Sequence, residues 1–251
     1  MILVIGDSCT DKFVYGQCKR LCPEAPVPVF TPTKETTNWG MAGNVVNNLR
    51  ALGEEVVSQT NAVKMEKKRI VDEKTNQMLV RIDNPDDCEP IGEKTRDLYT
   101  GDGYKDFRSK LKAVVISDYD KGFLSEEDIE AIIGHYDCPV FLDTKKLLGK
   151  WCVGADFIKF NEFEYADTEH TLEDLGIRDK LIITKGGEGA EYRGLLYPTE
   201  KCAVQDLSGA GDTFLAGLVH KYCETKNIAQ AIIFANEVAS KVVQKQGVAT
   251  I

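Results

Sequence analysis

Five short apolar runs recur along the chain and constrain its fold more than any other feature: Ile2-Leu3-Val4-Ile5, Ala113-Val114-Val115-Ile116, Pro139-Val140-Phe141-Leu142, Phe157-Ile158-Lys159-Phe160 and Leu181-Ile182-Ile183-Thr184. They are continuous rather than alternating, so each predicts a strand covered on both faces, as in a parallel sheet between helices. Helical patterns lie between or after them. The clearest starts at Ser125, which can cap Glu126-Glu127-Asp128 and leaves Ile129, Ile132 and Ile133 on one face. Others run from Ala42 to Leu52, Gly211 to Cys223 and Ile228 to Gln244. Strands alternating with helices imply right-handed βαβ units, hence an α/β fold with a mostly parallel sheet and helices on both faces. Ligands belong at the carboxyl ends of such strands.

Two stretches break the pattern. Val27 to Thr31 follows the Pro-rich Cys22-Pro23-Glu24-Ala25-Pro26, and Lys67 to Val71 with Gln77 to Ile82 reads as a hairpin turning at Asp72-Glu73-Lys74-Thr75-Asn76. Together they predict a small antiparallel β lid, from about 12–34 and 64–83, projecting from a single domain of 251 residues. Such a sheet has one face to be covered by ligand or by a second subunit, so a homodimer through the lid is expected.

Charge narrows the partners. Lys and Arg total 31 against 40 Asp and Glu, and a net charge of −9 repels nucleic acid and anionic lipid. A phosphorylated ligand would need local Lys, Arg and helix N-termini to hold it. The eight cysteines are scattered without paired metal-site spacing and read as reduced thiols; His135, His170 and His220 form no metal or triad pattern. No run approaches the ~18 apolar residues of a membrane span, and the opening residues lack the marks of a signal peptide. A cytoplasmic protein without nucleic-acid or membrane partners is expected.

The segment Asp206-Leu207-Ser208-Gly209-Ala210-Gly211-Asp212-Thr213-Phe214 runs directly into an apolar helical pattern. Glycines let the backbone approach an anion, and a new helix presents N–H groups and the positive end of its dipole. A carboxylate in that cradle, Asp212, can take a proton from a hydroxyl during phosphoryl transfer. The spacing alone equally allows a glycine turn with Asp212 as a first-turn acid. Neither Gly-x₄-Gly-Lys-Ser/Thr nor Gly-x-Gly-x-x-Gly after the first strand is present.

The segment resembles the C-terminal signature of the ribokinase (pfkB) carbohydrate kinases, Asp-Thr-x-Gly-Ala-Gly-Asp, with Leu207 and Ser208 as departures. The resemblance makes Asp212 the catalytic base and Gly209, Ala210 and Gly211 the anion hole. It extends across nearly the whole chain and narrows to the subfamily that phosphorylates heptose 7-phosphate at carbon 1, the kinase part of bifunctional ADP-heptose synthesis enzymes. Pro23-Glu24-Ala25-Pro26-Val27-Pro28-Val29 and Ser117-Asp118-Tyr119-Asp120-Lys121-Gly122 carry that narrowing.

The resemblance implies ATP as phosphoryl donor, Mg²⁺, K⁺ as a second ion to test, and a small sugar or sugar phosphate as acceptor. Asp11, Gly40, Gly43 and Asn44 are then sugar-binding positions, with Asp118 and Lys121 at the strand-end crevice. Lys68, Arg69 and Arg81, on the lid strands, are the basic residues to bring to a sugar phosphate; a solvated strand face is the alternative. Asn161 and Glu164 match an Asn-x-x-Glu motif at the nucleotide and metal; Thr184, Lys185, Gly186 and Gly189 match a nucleotide loop; Asn236 falls near the adenine, and Asp206 is the candidate cation ligand. A plain turn, a helix cap or an acidic helix start would explain several of these residues equally well. The alternatives to a heptose kinase are a kinase for another sugar or a nucleoside, or a non-catalytic binding protein.

Two departures fall in the N-terminal half. Only 14 residues separate Gly53 from Lys68, where the family has several tens, so loss of a βα unit at a sheet edge is expected. Met41 stands where the family usually has glycine.

Overall fold

The computed structural model describes residues 1–62, 65–92, 105–168, 172–245, 247 and 250–251. His170 and residue 64, where the second lid segment was expected to begin, lie outside them. The strands are β1 (Ile2–Gly6), β2 (Ser8–Leu21), β3 (Pro28–Met41), β4 (Val56–Thr60), β5 (Met65–Asp72), β6 (Met78–Asn84), β7 (Ala113–Asp118), β8 (Val140–Thr144), β9 (Phe157–Asn161), β10 (Leu181–Thr184), β11 (Ala190–Tyr192) and β12 (Leu195–Tyr197). The helices are α1 (Ala42–Ala51), α2 (Lys105–Arg108), α3 (Glu126–His135), α4 (Glu162–Thr168), α5 (Leu172–Leu175), α6 (Ala210–Thr225) and α7 (Ile228–Val242).

All five apolar runs enter one eight-stranded sheet of order β12-β11-β10-β9-β8-β7-β1-β4. Its strands from β10 to β4 pair in parallel, and β11 and β12 add an antiparallel edge. Successive side chains of a strand point to opposite faces. Accordingly Leu3, Ile5, Val114 and Ile116 pack with Ile129, Ile132 and Ile133 of α3, while Ile2, Val4, Ala113 and Val115 pack with α1, α6 and α7 through Val45, Leu49, Phe214, Leu218 and Ile232. Ser125 caps α3 as expected: its hydroxyl accepts from Asp128 N at 3.1 Å, and Asp128 returns the bond to Ser125 N at 2.9 Å. No described helix is long and apolar enough to cross a membrane, and all eight cysteines are free thiols.

The second sheet has the order β3-β2-β5-β6. Its antiparallel pairs β2/β3 and β5/β6 are joined by one parallel pairing, β2 with β5. The expected lid took in residues from about 12, but no lid strand was read before Val27, so β2 as an element was not expected. Its buried Asp11, Phe13 and Tyr15 alternate with less buried Lys12 and Val14, and charged residues within it hide the apolar periodicity. β4 was also unexpected. It forms the sheet edge beside β1, and the chain passes from Thr60 to β5 at Met65 in one short step.

Candidate active site

Parallel register brings the carboxyl ends of the strands to one edge of the large sheet: Gly6 stands beside Ser117, Asp118 beside Thr144, Asp143 beside Lys159, and Thr184 beside Asn161. α6 begins above this edge. Gly209, the residue before the helix, has φ +79°, a left-handed conformation that favours glycine. The first turn of a helix leaves backbone N–H groups without intrahelical partners, and Asp212 lies within that turn, 3% exposed.

Two donors fix the Asp212 carboxylate. Tyr119 Oη donates to Oδ1 at 2.6 Å and Asn44 Nδ2 donates to Oδ2 at 3.0 Å. Asn44 is itself oriented, because Asn48 Nδ2 donates to its amide oxygen at 3.0 Å. Burial is the main influence on the acid and pushes its pKa up to about 6; the bonds from Tyr119 and Asn44 oppose that rise, Asp143 adds to it and Lys159 opposes it. A carboxyl tuned this close to neutrality is ionised at pH 7 and remains a useful proton acceptor.

Behind the carboxylate lies a network of buried charge. Lys159 Nζ donates to Asp143 Oδ2 at 2.7 Å, and Lys145 Nζ stands 3.6 Å from Oδ1 of the same acid. Burial works against ionisation of Asp143, yet the two lysines hold its carboxyl below the usual range. A side-chain carbon added at Gly211 would sit 3.2 Å from Lys159 Nζ, which places this ammonium against the backbone at the start of α6. Lys145 also bonds Glu164, and Lys146 bonds Asp118 at 2.9 and 3.0 Å.

The inner face of the second sheet supplies the other wall. Asp11 is 5% exposed and pairs with Arg69 of β5. Gly40 lies across from it, where an added Cβ would collide with Asp11 Oδ2, so a larger residue would have to displace that carboxylate. Register puts Arg81 opposite Arg69 and Asp83 opposite Lys67. Lys67 reaches inward, its Nζ 5.6 Å from the centre of the Tyr119 ring. Lys68 faces the other way, opposite the exposed Ile82 and ion-paired with Glu66 at 3.2 Å. Met41 is buried with Cys9 and Met65 and has φ +58°, a left-handed conformation uncommon for a residue other than glycine.

The structure therefore brings together Asp212, Gly209, Ala210, Gly211 and Asn44, with Asp11 and Gly40 on the adjoining sheet. Gly43 packs closely on Ser8 and Trp39. Other expected residues have partners within the protein. Asp118 is fully buried and bonded to Thr144 and Lys146. Lys121 pairs with Asp86 at 2.7 Å, Arg81 with Asp83, and Lys185 with Glu191 at 2.6 Å. Asn161 caps α4 by accepting from Phe163 N and Glu164 N, while Glu164 accepts from Asn161 N. Thr184 donates to Phe160 O, and Asn236 to Tyr197 O. Asp206 accepts from Ser208 N at 2.8 Å and Gly247 N at 3.0 Å, stitching the approach to the cradle onto the C-terminal segment. Gly186 has φ +52° and Gly189 φ +109° in the turn after β10, and the space around Gly186 is open.

Sequence reading missed Tyr119, Lys67, Asp143, Lys145 and Lys159 as site residues. A signal existed for Lys159, the one charge inside a run otherwise expected to be buried on both faces, where a charge needs a partner. Tyr119 lay inside a quoted motif but carried no mark of where its hydroxyl would point.

An α/β sheet with a buried carboxylate in a glycine-rich helix start defines a class of fold and site, and sequence comparison identifies the family. Residues 111–251 match the pfkB family carbohydrate kinases, and the chain belongs to that family. It is 34% identical over 293 residues to the bifunctional protein HldE of a Nitratiruptor species, covering 99% of this chain and 62% of that protein. It is 29% identical over 308 residues to the protein of the same name from Sulfurimonas denitrificans, covering 100% and 62%. The chain thus spans about three fifths of the length of the curated relatives it matches. Among solved structures, the ribokinase of Thermotoga maritima superposes with a TM-score of 0.73 at 18% identity, over 98% of this chain and 94% of that one. A nucleoside kinase of Burkholderia thailandensis, solved with inosine, gives 0.71 at 17% identity, over 99% and 91%. These likenesses establish a ribokinase-like fold.

Proposed function

We propose that the chain is an ATP-dependent sugar kinase that transfers the γ-phosphoryl group to a hydroxyl of a sugar phosphate, heptose 7-phosphate at carbon 1 being the first acceptor to test. The observation that carries the reading is Asp212: a buried carboxylate held by Tyr119 and Asn44 at the start of α6, with the Lys159 ammonium against Gly211. A phosphate cradle used only for binding has no need of an acid that repels its ligand. As base, Asp212 accepts the proton of the acceptor hydroxyl as that oxygen bonds to the γ-phosphorus and the bond to the β-phosphate oxygen breaks, releasing ADP. Backbone N–H groups of the cradle and Lys159 face the charge that builds on the phosphoryl oxygens.

ATP fits the edge formed by β9 and β10, where Asn161, Thr184, Lys185, Gly186 and Gly189 lie at adjoining strand ends, with Asn236 in α7. Apart from the adjoining residues, no described atom lies within 4 Å of a Cβ added at Gly186 or Gly187, so the turn leaves room for a ligand. Mg²⁺ would be carried by the phosphates and reached through water by Glu164, whose oxygens already bond Lys145 and Asn161 N. It would neutralise phosphate charge. Asp206 is the acid beside which K⁺ is to be tested. On the acceptor side, Asp11 would fix sugar hydroxyls, and Lys67 and Arg81 would meet the acceptor's phosphate.

The outer face of the second sheet supports a homodimer through this lid. Val14, Ile70 and Val80 stand in one row across β2, β5 and β6, flanked by exposed Ile82. Sedimentation of the purified chain with and without Val80→Glu tests this; a monomer in both cases removes the dimer.

The kinase reading is tested by ADP release from ATP and Mg²⁺ with heptose 7-phosphate and a panel of other sugars and nucleosides. Turnover is expected, falling by about 10²-fold or more in Asp212→Asn. Equal rates in the two proteins would remove Asp212 from the mechanism. A better acceptor elsewhere in the panel would replace the heptose phosphate, and no turnover on any acceptor would leave a binding protein.

A further inference from the structure

We propose that Tyr119 is a positioning residue for Asp212: its phenol holds Oδ1 of the carboxylate, fixing the plane of the base and favouring its ionised form. The inference rests on the reading of Asp212 as the base.

The loop after β7 is built to deliver this side chain. Asp7, fully buried just beyond β1, accepts from Tyr119 N at 2.6 Å and from Phe123 N at 3.4 Å. The backbone between them turns through left-handed conformations at Asp120, φ +54°, and Gly122, φ +99°. Pinned at both ends, the loop aims the Tyr119 ring across the carboxyl edge of the sheet toward α6. The ring is flanked by ammonium groups, Lys145 Nζ at 5.1 Å and Lys67 Nζ at 5.6 Å from its centre, an arrangement that attracts cations to the ring face.

The phenol reaches Oδ1 at 2.6 Å while Asn44 reaches Oδ2 at 3.0 Å. With one donor on each oxygen the carboxylate cannot rotate without losing a bond. Each oxygen still has a further lone pair for a substrate hydroxyl. Tyr119 does not compete for the role of base, because burial first, and then the charges of Asp212 and Asp143, raise its pKa well above the ordinary phenol value. It remains a neutral donor at any working pH.

Among the described residues, groups that face Asp212 come from several elements: Asn44 of α1, Cys9 of β2, Tyr119 after β7, Asp143 of β8 with Lys145 beyond it, and Lys159 of β9. Cys9 is pushed up to about 12, by burial first, and stays a neutral thiol. Burial and Asp143 favour the protonated acid, whereas the bonds from Tyr119 and Asn44 and the charge of Lys159 favour the carboxylate. A hydrogen bond to a charged acceptor is among the stronger ones, so losing the phenol moves the balance measurably.

The test reads the proton on Asp212 directly. In protein labelled with ¹³C at the aspartate side-chain carboxyl, the Asp212 signal is identified by its absence from Asp212→Asn, and its titration midpoint is compared in wild type and Tyr119→Phe. The midpoint should rise by about one pH unit in the variant, and the acid limb of kcat/KM should move up with it. A second protein carrying 2,3-difluorotyrosine at 119 keeps the packing while making the phenol a stronger donor, and its midpoint should fall. It decides the matter by itself if Tyr119→Phe does not fold. A midpoint that stays put or moves the other way overturns the proposal. Because the titration is read without turnover, a chain that phosphorylates no acceptor would sink the kinase reading while leaving this result intact.

Discussion

Charge is handled differently in the two regions that meet at the site. At the carboxyl edge of the large sheet, Asp143 and Lys159 have side chains 2% and 5% exposed and bond each other at 2.7 Å. Asp118 beside them is fully buried against Lys146. On the inner face of the second sheet the Asp11 and Arg69 side chains are 7% and 13% exposed, whereas Arg81 is 43% exposed and Asp83 22%. The first region is a finished electrostatic frame, set by adjacent parallel strands before any ligand arrives. The second is a face with room for groups to change partners. Catalytic charge stabilisation favours the former, since preorganised groups cost no rearrangement during reaction, whereas choice of acceptor suits the latter.

Removing one partner from the frame should have the largest effect. Lys159→Met strands the buried Asp143 carboxylate with only Lys145 near it, and unfolding in urea should show a loss of about 3 kcal/mol or more. A loss below about 1 kcal/mol would mean that the frame rearranges as freely as the second sheet. The pH profile of turnover probes the same frame without a mutation. Asp212 must be ionised to accept a proton, and its raised pKa of about 6 puts the loss of activity on the acid side: kcat/KM should fall as pH drops through about 6 and stay level from there toward neutrality. A profile that stays level well into the ordinary carboxylate range, down to about pH 4, would detach the base from its buried setting.

The second sheet should show smaller effects that depend on which face a residue occupies. Lys67→Met should raise KM for a phosphorylated acceptor about tenfold, the scale of one charge-assisted contact, with little change in kcat. The adjacent Lys68→Met should change neither constant by more than about twofold, because an exposed ion pair contributes little. Equal effects from the two would mean that the register does not decide which lysine meets the acceptor.

That pair of lysines marks where the sequence stops being informative. Lys67 and Lys68 are equivalent in composition and hairpin pattern, and a slip of one residue exchanges them between faces. Only the pairing of Lys67 with Asp11 and Asp83, and of Lys68 with Lys12 and Ile82, settles the matter. β2 was overlooked for a related reason: Asp11 is a core residue only because Arg69 and Gly40 surround it. Tyr119 is similar. Its aim depends on Asp7, which follows β1 and reaches the loop after β7 only because those two strands, far apart in the chain, lie side by side in the sheet.

Local pattern alone was enough to specify the parallel α/β frame and a glycine-rich helix start. Continuous apolar runs can be buried on both faces in few other ways, and glycines before an apolar helix make an anion site from local backbone alone. Asp212 was therefore legible as an acid at a glycine-rich helix start, while its proposed role as base came from the resemblance to the pfkB kinases. What surrounds that acid depends on the fold: Asn44 comes from 168 residues away and Tyr119 from 93, and local pattern carries no record of contacts at such separations. The same folding that buries Asp212 raises its pKa toward neutrality, so the carboxylate was readable from sequence, while its raised pKa belongs to the fold.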